Sequence, residues 1–342
     1  MIVSGTLFAA AKQARPTRRC RTDQGTKDRT MDGQSFHQRT FKQRASFEGV
    51  GLHTGETVRL TLAPAPPDSG ITFVRSDVAP ELDIPALASC VVDTVLCTSL
   101  GRDGVRIGTV EHLLAALVGC GIDAARIEVD GPELPIGDGS SAPFVQLIQR
   151  AGFHELRAPR RFLQVKKPIV VGDGDKLAKL LPARRFRITY TIDFQHPLIS
   201  DQTFTVDLDG RSFQKEIARA RTFGFKRDVE KLHRAGLARG GSLENAVVVD
   251  DFHILNPEGL RFPDEFVRHK VLDAIGDLAL LGMPVIGHFV AVKSGHALNQ
   301  QLVGKALAEP GACEIVQPRA ADELYELQNS LLPVLTLEEQ VA

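Results

Sequence analysis

In the segment Val267-Arg268-His269-Lys270-Val271-Leu272-Asp273-Ala274-Ile275-Gly276-Asp277, His269, Asp273 and Asp277 stand four residues apart. On a helix, that spacing sets all three along one stripe. Val271, Leu272, Ile275 and Leu278 supply the apolar residues that would face a core. A neutral imidazole and a carboxylate at this spacing can share one divalent metal, provided a third ligand arrives from elsewhere. The plain alternative is a solvated polar face.

His112 is the best candidate for the third ligand. It follows Glu111 at the start of the apolar run Leu113-Leu114-Ala115-Ala116-Leu117. Taken alone, Glu111 is also a favoured first-turn residue, and His112 could be a packing histidine. Two histidines and one aspartate would leave a fourth position open, as hydrolytic rather than structural zinc requires. Glu111 would then be placed to accept a proton from the attacking water. His296, in Lys293-Ser294-Gly295-His296-Ala297-Leu298-Asn299, reads either as a plain strand-to-helix junction or as an acid for a departing amine. Asp277 could hold that imidazole protonated by charge and hydrogen bonding. In Arg219-Ala220-Arg221-Thr222-Phe223-Gly224-Phe225, a hydroxyl sits among aromatics, which suits a packed turn or a ligand contact equally.

Strands and helices must bring these residues together. Val58, Leu60 and Leu62 alternate with polar neighbours, as do Phe186, Ile188, Tyr190, Ile192 and Phe194, the period-2 sign of half-buried strands. Further strands are predicted at 71–75, 89–96, 124–129 and 285–292. Helices are predicted at 110–118, ended by Gly119 and Gly121, and at about 142–151, 264–281 and 296–308. Residues 155–161, charged and proline-bearing, read as a linker. The order helix, strand, turn, helix occurs on both sides of it, so the expected fold is α+β with two similar halves, 35–158 and 159–342.

Composition narrows the function classes. The chain has 342 residues, 43% hydrophobic and 24% charged, with a formal net charge of −1, so no global field favours nucleic acid or an anionic membrane. No run approaches the roughly 18 to 20 apolar residues of a membrane helix. Five cysteines without a CxxC pair fit neither a disulfide framework nor a cysteine-rich zinc module, and favour a reducing compartment. Residues 1–30 carry seven Lys or Arg against two Asp with little apolar periodicity. They are expected to be a disordered basic extension, continuing to about residue 34, or to precede a true start at Met31.

The motifs above, with Gly49-Val50-Gly51-Leu52-His53-Thr54-Gly55 and Thr109-Val110-Glu111-His112-Leu113, closely resemble the UDP-3-O-acyl-N-acetylglucosamine deacetylases, the zinc amidases of lipid A synthesis. The likeness runs from about residue 40 to about 306. It implies two two-layer α/β-sandwich halves with the active site between them. It also implies removal of the N-acetyl group from UDP-3-O-(3-hydroxyacyl)-N-acetylglucosamine, releasing acetate. His112, His269 and Asp273 match the zinc ligands, and Glu111 the general base. His296 matches the protonated partner that serves the leaving nitrogen, with Asp277 as its supporting carboxylate. Thr222 and Lys270 match positions that polarise the amide carbonyl or stabilise its oxyanion.

For the substrate, the resemblance implies contacts at His53, Phe194, Phe223, Leu243 and Lys293, with an acyl-chain passage in an insertion at about 223–249. Cys97 reads as a buried thiol, or an occasional inhibitory contact to a second zinc, rather than a nucleophile. The expected setting is the bacterial cytoplasm, with a monomer meeting its lipid-tailed substrate near a membrane surface and no nucleic-acid partner. Two other readings share these residues: a zinc amidase for another N-acyl sugar, and an α+β scaffold whose polar stripe is merely solvated.

Overall fold

The computed structural model describes residues 36–318. The basic extension at 1–34 and the end of the chain lie outside that range.

The first half is built on a five-stranded sheet in the order Ala45–Val50, Thr57–Ala63, Ala125–Val129, Ile71–Arg75, Leu82–Pro85. Its central strand, Ala125–Val129, runs antiparallel to Thr57–Ala63 and parallel to Ile71–Arg75. The second half repeats the scheme. Val285–Val292 runs antiparallel to Lys176–Leu181 and parallel to Phe186–Ile192, and each of those neighbours is again one arm of an antiparallel hairpin. In each half a helix precedes the central strand, Glu111–Cys120 or Glu265–Ala279, and another follows it, Ala142–Ala151 or His296–Ala308. The expectation of two similar α+β halves is met.

Burial explains why these segments hold their forms. Ile188, Tyr190 and Ile192 are buried while Arg187 is exposed, so the alternation read from sequence is the difference between core face and open face. The two helices that precede the central strands are buried on nearly every side, and they pack against each other. Gly276 permits that approach: a Cβ there would lie 2.1 Å from the Glu111 carbonyl oxygen. A single buried apolar cluster, including Leu60, Leu113, Ile275 and Phe289, runs through both halves.

Three local expectations need correction. Gly119 does not end its helix. It lies inside Glu111–Cys120, where the close Phe213 ring leaves no room for a Cβ, and Gly121 makes the left-handed cap at φ 68°. Residues 89–96 form only a short strand, Val91–Asp93, preceded by a 3-10 turn. Most of the segment read as a linker is the strand Phe153–Pro159, paired with His37–Phe41, because backbone groups that meet a free strand edge pair with it whatever their side-chain charge. Among the described residues, no helix is long and apolar enough to cross a membrane.

Candidate active site

Both core helices contribute to one cluster. The first places Glu111 and His112 in its opening turn, and the second carries His269, Asp273 and Asp277 along its length; all five are buried. One ligand atom each from His112, His269 and Asp273 lies within 4.8 Å of the others. Nε2 of His112 is 3.5 Å from Asp273 Oδ1, and Nε2 of His269 is 3.3 Å from the same oxygen.

The protonation states suit a cation. His269 Nδ1 lies 3.0 Å from the Ala220 carbonyl, which can only accept, so the ring proton sits on Nδ1 and the Nε2 lone pair faces the cluster. Burial, helped by the charges of His112 and Lys270, lowers this imidazole to about 4 and keeps it neutral. Burial opposes ionisation of Asp273, but the charge of the neighbouring Lys270 holds its carboxyl well below the usual range. Lys270 Nζ binds Asp273 Oδ2 at 2.6 Å, leaving Oδ1 toward the histidines. Two imidazole nitrogens and one carboxylate oxygen, converging among buried side chains, are a donor set that fits a zinc ion.

Beside this set lies a proton-handling group. His296 Nδ1 is 2.9 Å from Asp277 Oδ2, and its Nε2 is 3.8 Å from Glu111 Oε1. Burial alone would lower His296, but the charge and hydrogen bond of Asp277 outweigh it and raise the imidazole to about 9. Glu111, fully enclosed, is raised by burial, against the pull of His296 and His112.

A cavity of about 500 Å³ opens over both groups. Glu111, His112, His269, Lys270, Asp273 and His296 form its floor, and Thr222 borders them. His53, Phe194 and Phe223 line its walls, with the Phe194 and Phe223 rings edge to face at 5.6 Å. Phe223–Phe225, the helix Lys226–Arg234 and Val247–Val249 form a β-α-β unit whose Phe225 and Leu232 add apolar wall. Two of the sequence candidates sit elsewhere. Leu243 is 40% exposed and does not line this cavity. Lys293 is also absent from its lining, and holds Asp193 at 2.7 Å and Asp175 at 2.9 Å.

Several contributors escaped the sequence reading. Asn299 Nδ2 donates to Asp277 Oδ2 at 2.8 Å, and the motif containing His296 was the only clue to it. Glu133 accepts from the backbone N–H groups of His53 and Thr54 and from the Thr109 hydroxyl, tying the His53 loop to the start of the first core helix. Nothing local marks Glu133 out. Cys97, at the cavity edge, has its thiol pushed up to about 12 by burial and by Glu111, which removes it as a nucleophile near neutral pH.

The family model described as UDP-3-O-acyl N-acetylglycosamine deacetylase matches residues 38–308. The chain belongs to this deacetylase family. Among curated relatives, the UDP-3-O-acyl-N-acetylglucosamine deacetylase of Myxococcus xanthus is 63% identical over 289 residues, 84% of this chain and 92% of the relative. The deacetylase of Anaeromyxobacter dehalogenans is 60% identical over 305 residues, covering 89% and 98%. That of Idiomarina loihiensis is 56% identical over 282 residues, covering 82% and 92%. The span matched to the deacetylase family contains every candidate site residue named above.

Proposed function

We propose that this chain hydrolyses the N-acetyl group of UDP-3-O-(3-hydroxyacyl)-N-acetylglucosamine, giving the free 2-amine and acetate, with zinc held by His112, His269 and Asp273. Membership of the deacetylase family supports the substrate. The observation that carries the chemistry is that the buried His-His-Asp set shares one cavity floor with Glu111 and with His296, whose ring Asp277 holds.

An amide is a weak electrophile and an amine a poor leaving group, so the site needs a base, charge stabilisation and an acid. When bound, zinc supplies Lewis-acid activation of water and of the amide carbonyl. Glu111 accepts the proton from the attacking water as its oxygen joins the acetyl carbon. Thr222 and Lys270 stabilise the negative charge that develops on the carbonyl oxygen. His296, kept cationic by Asp277, donates the Nε2 proton to the sugar nitrogen as the C–N bond breaks. The two proton-handling atoms stand 3.8 Å apart, so both can serve one tetrahedral carbon without a large movement.

His53, Phe194 and Phe223 are assigned to substrate contact, and the apolar wall of Phe225 and Leu232 to the acyl chain. Lys293 is assigned to the diphosphate only with exchange of its Asp193 and Asp175 partners. Leu243 is assigned no direct contact in this conformation. We place the reaction in the bacterial cytoplasm, performed by a monomer close to a membrane surface.

Acetate release from the UDP-sugar, with metal content measured on the same sample, tests the proposal. Release that a chelator abolishes and added zinc restores is the expected result. A zinc-loaded protein that leaves this acetyl group intact but cleaves another N-acyl sugar would overturn the substrate assignment.

A further inference from the structure

Thr98 is fully buried, and it touches both carboxylates that flank the His296 imidazole. Its hydroxyl donates to Asp277 Oδ1 at 2.6 Å, and its backbone N–H donates to Glu111 Oε2 at 3.1 Å. Its carbonyl accepts from the N–H of Val110, the residue just before Glu111, at 3.3 Å. One residue of the first half thus fixes the start of one core helix, a carboxylate on that helix and a carboxylate on the other.

Each bond sets which oxygen leans toward His296. Oδ1 of Asp277 carries the Thr98 hydroxyl, and the imidazole Nδ1 lies nearer Oδ2, at 2.9 Å against 3.2 Å to Oδ1, with the Asn299 amide also on Oδ2 at 2.8 Å. With Oε2 of Glu111 held by the Thr98 N–H, Oε1 is the oxygen turned toward His296 Nε2. A carboxylate rotates readily about its last torsion, and every bond to an ionised acceptor in a dry site narrows that rotation. The approach to Thr98 passes through Leu96, a non-glycine residue at φ 66°. An L-residue takes that conformation only when its surroundings impose it.

We propose that Thr98 is a positioning residue for the deacetylation, setting the base Glu111 and the Asp277–His296 pair in register across the two halves. The proposal rests on the roles given above to Glu111 and His296.

The test compares T98V, which keeps the backbone bonds and the side-chain shape but lacks the hydroxyl, with T98S, which restores it. Losing one hydrogen bond to a buried carboxylate predicts a kcat lower by about 10- to 100-fold in T98V. KM should stay within about threefold, because the hydroxyl touches no substrate and acts only through the reacting groups. Zinc content should be unchanged, and T98S should recover kcat to within about threefold of the parent. In the parent and T98S the hydrogen-bonded Nδ1 proton of His296 should give the same low-field NMR signal, displaced in T98V.

Parental kcat in T98V, an effect confined to KM, or a T98S as impaired as T98V would each overturn the positioning role. Should T98V unfold at the assay temperature, T98A replaces it with the same readings. E111Q and H296Q run alongside. If they retain turnover, the catalytic assignment itself is wrong; if they lose it while T98V does not, only the positioning role is.

Discussion

His296 Nδ1 meets Asp277 Oδ2 at 2.9 Å with the aspartate side chain wholly buried, so the charge that keeps this imidazole protonated comes from a group that water cannot reach. Burial works against the cation, yet Asp277 prevails and the ring loses its proton only at about 9. The acid form is needed to protonate the leaving nitrogen, so kcat should fall as pH rises through about 9. In D277N the anionic partner is gone, the limb should move to lower pH by at least about one unit, and kcat near neutrality should drop about 100-fold. A pH–kcat profile checks both, and an unmoved limb would assign the charge to Glu111 instead.

Removing His269 should cost metal before anything else. In H269A two donors of the proposed set remain, and zinc affinity should fall by orders of magnitude. E111Q, which leaves all three donors in place, should retain zinc yet lose about 100- to 10,000-fold in turnover. Zinc titration against a competing chelator separates the two variants. Equal zinc affinity in H269A and the parent would remove His269 from the ligand set.

Arg221 and Glu265 form a buried ion pair next to the cluster: Nε to Oε1 is 2.9 Å, with exposures of 1% and 0%. Arg221 follows Ala220, whose carbonyl orients His269. R221M should destabilise the fold by about 3–5 kcal/mol, because it leaves a carboxylate buried without its cation. The double variant R221M/E265Q should recover part of that loss. Urea unfolding of the three proteins provides the comparison.

The contact of the two core helices depends on the missing side chain at Gly276. A methyl group there would come within 2.1 Å of backbone that cannot move independently of Glu111. G276A should cost about 1–3 kcal/mol or more and lower kcat as Glu111 shifts. Thermal unfolding and turnover should fall together. A stable, fully active G276A would show that the helices tolerate a wider spacing.

His288 should make the fold acid-sensitive from a site away from catalysis. Burial, then the charge of Arg187, lowers it to about 4, with Asp207 opposing, while Nε2 lies 2.9 Å from the Thr189 hydroxyl. An unfolded histidine titrates near 6.5, so between about 6.5 and 4 the unfolded chain binds a proton that the folded chain refuses. The contribution of His288 is therefore complete above about 6.5 and is lost as pH falls toward 4. In H288Q the drop in stability between pH 7.5 and 5 should be smaller than in the parent. Equal drops would show that other groups set the acid response.

The sequence by itself determined the features that repeat along the chain. Alternation at Phe186–Ile192 read out a strand with one buried face, and the four-residue steps from His269 to Asp277 put three polar groups on one helical stripe. Both follow from backbone periods that neighbouring residues share. The long motifs likewise carried the family, because they are contiguous. Only the tertiary structure decided which distant groups meet. Thr98 reaches Asp277 across 179 positions, and residues 155–161, charged enough to read as a linker, largely join a strand because His37–Phe41 offers an edge. Lys293 sits in a matched motif and Leu243 in the insertion, yet both lie outside the cavity lining. Contacts of this kind have no period along the chain: they are fixed by where two packed halves close on each other, so their partners are chosen in space.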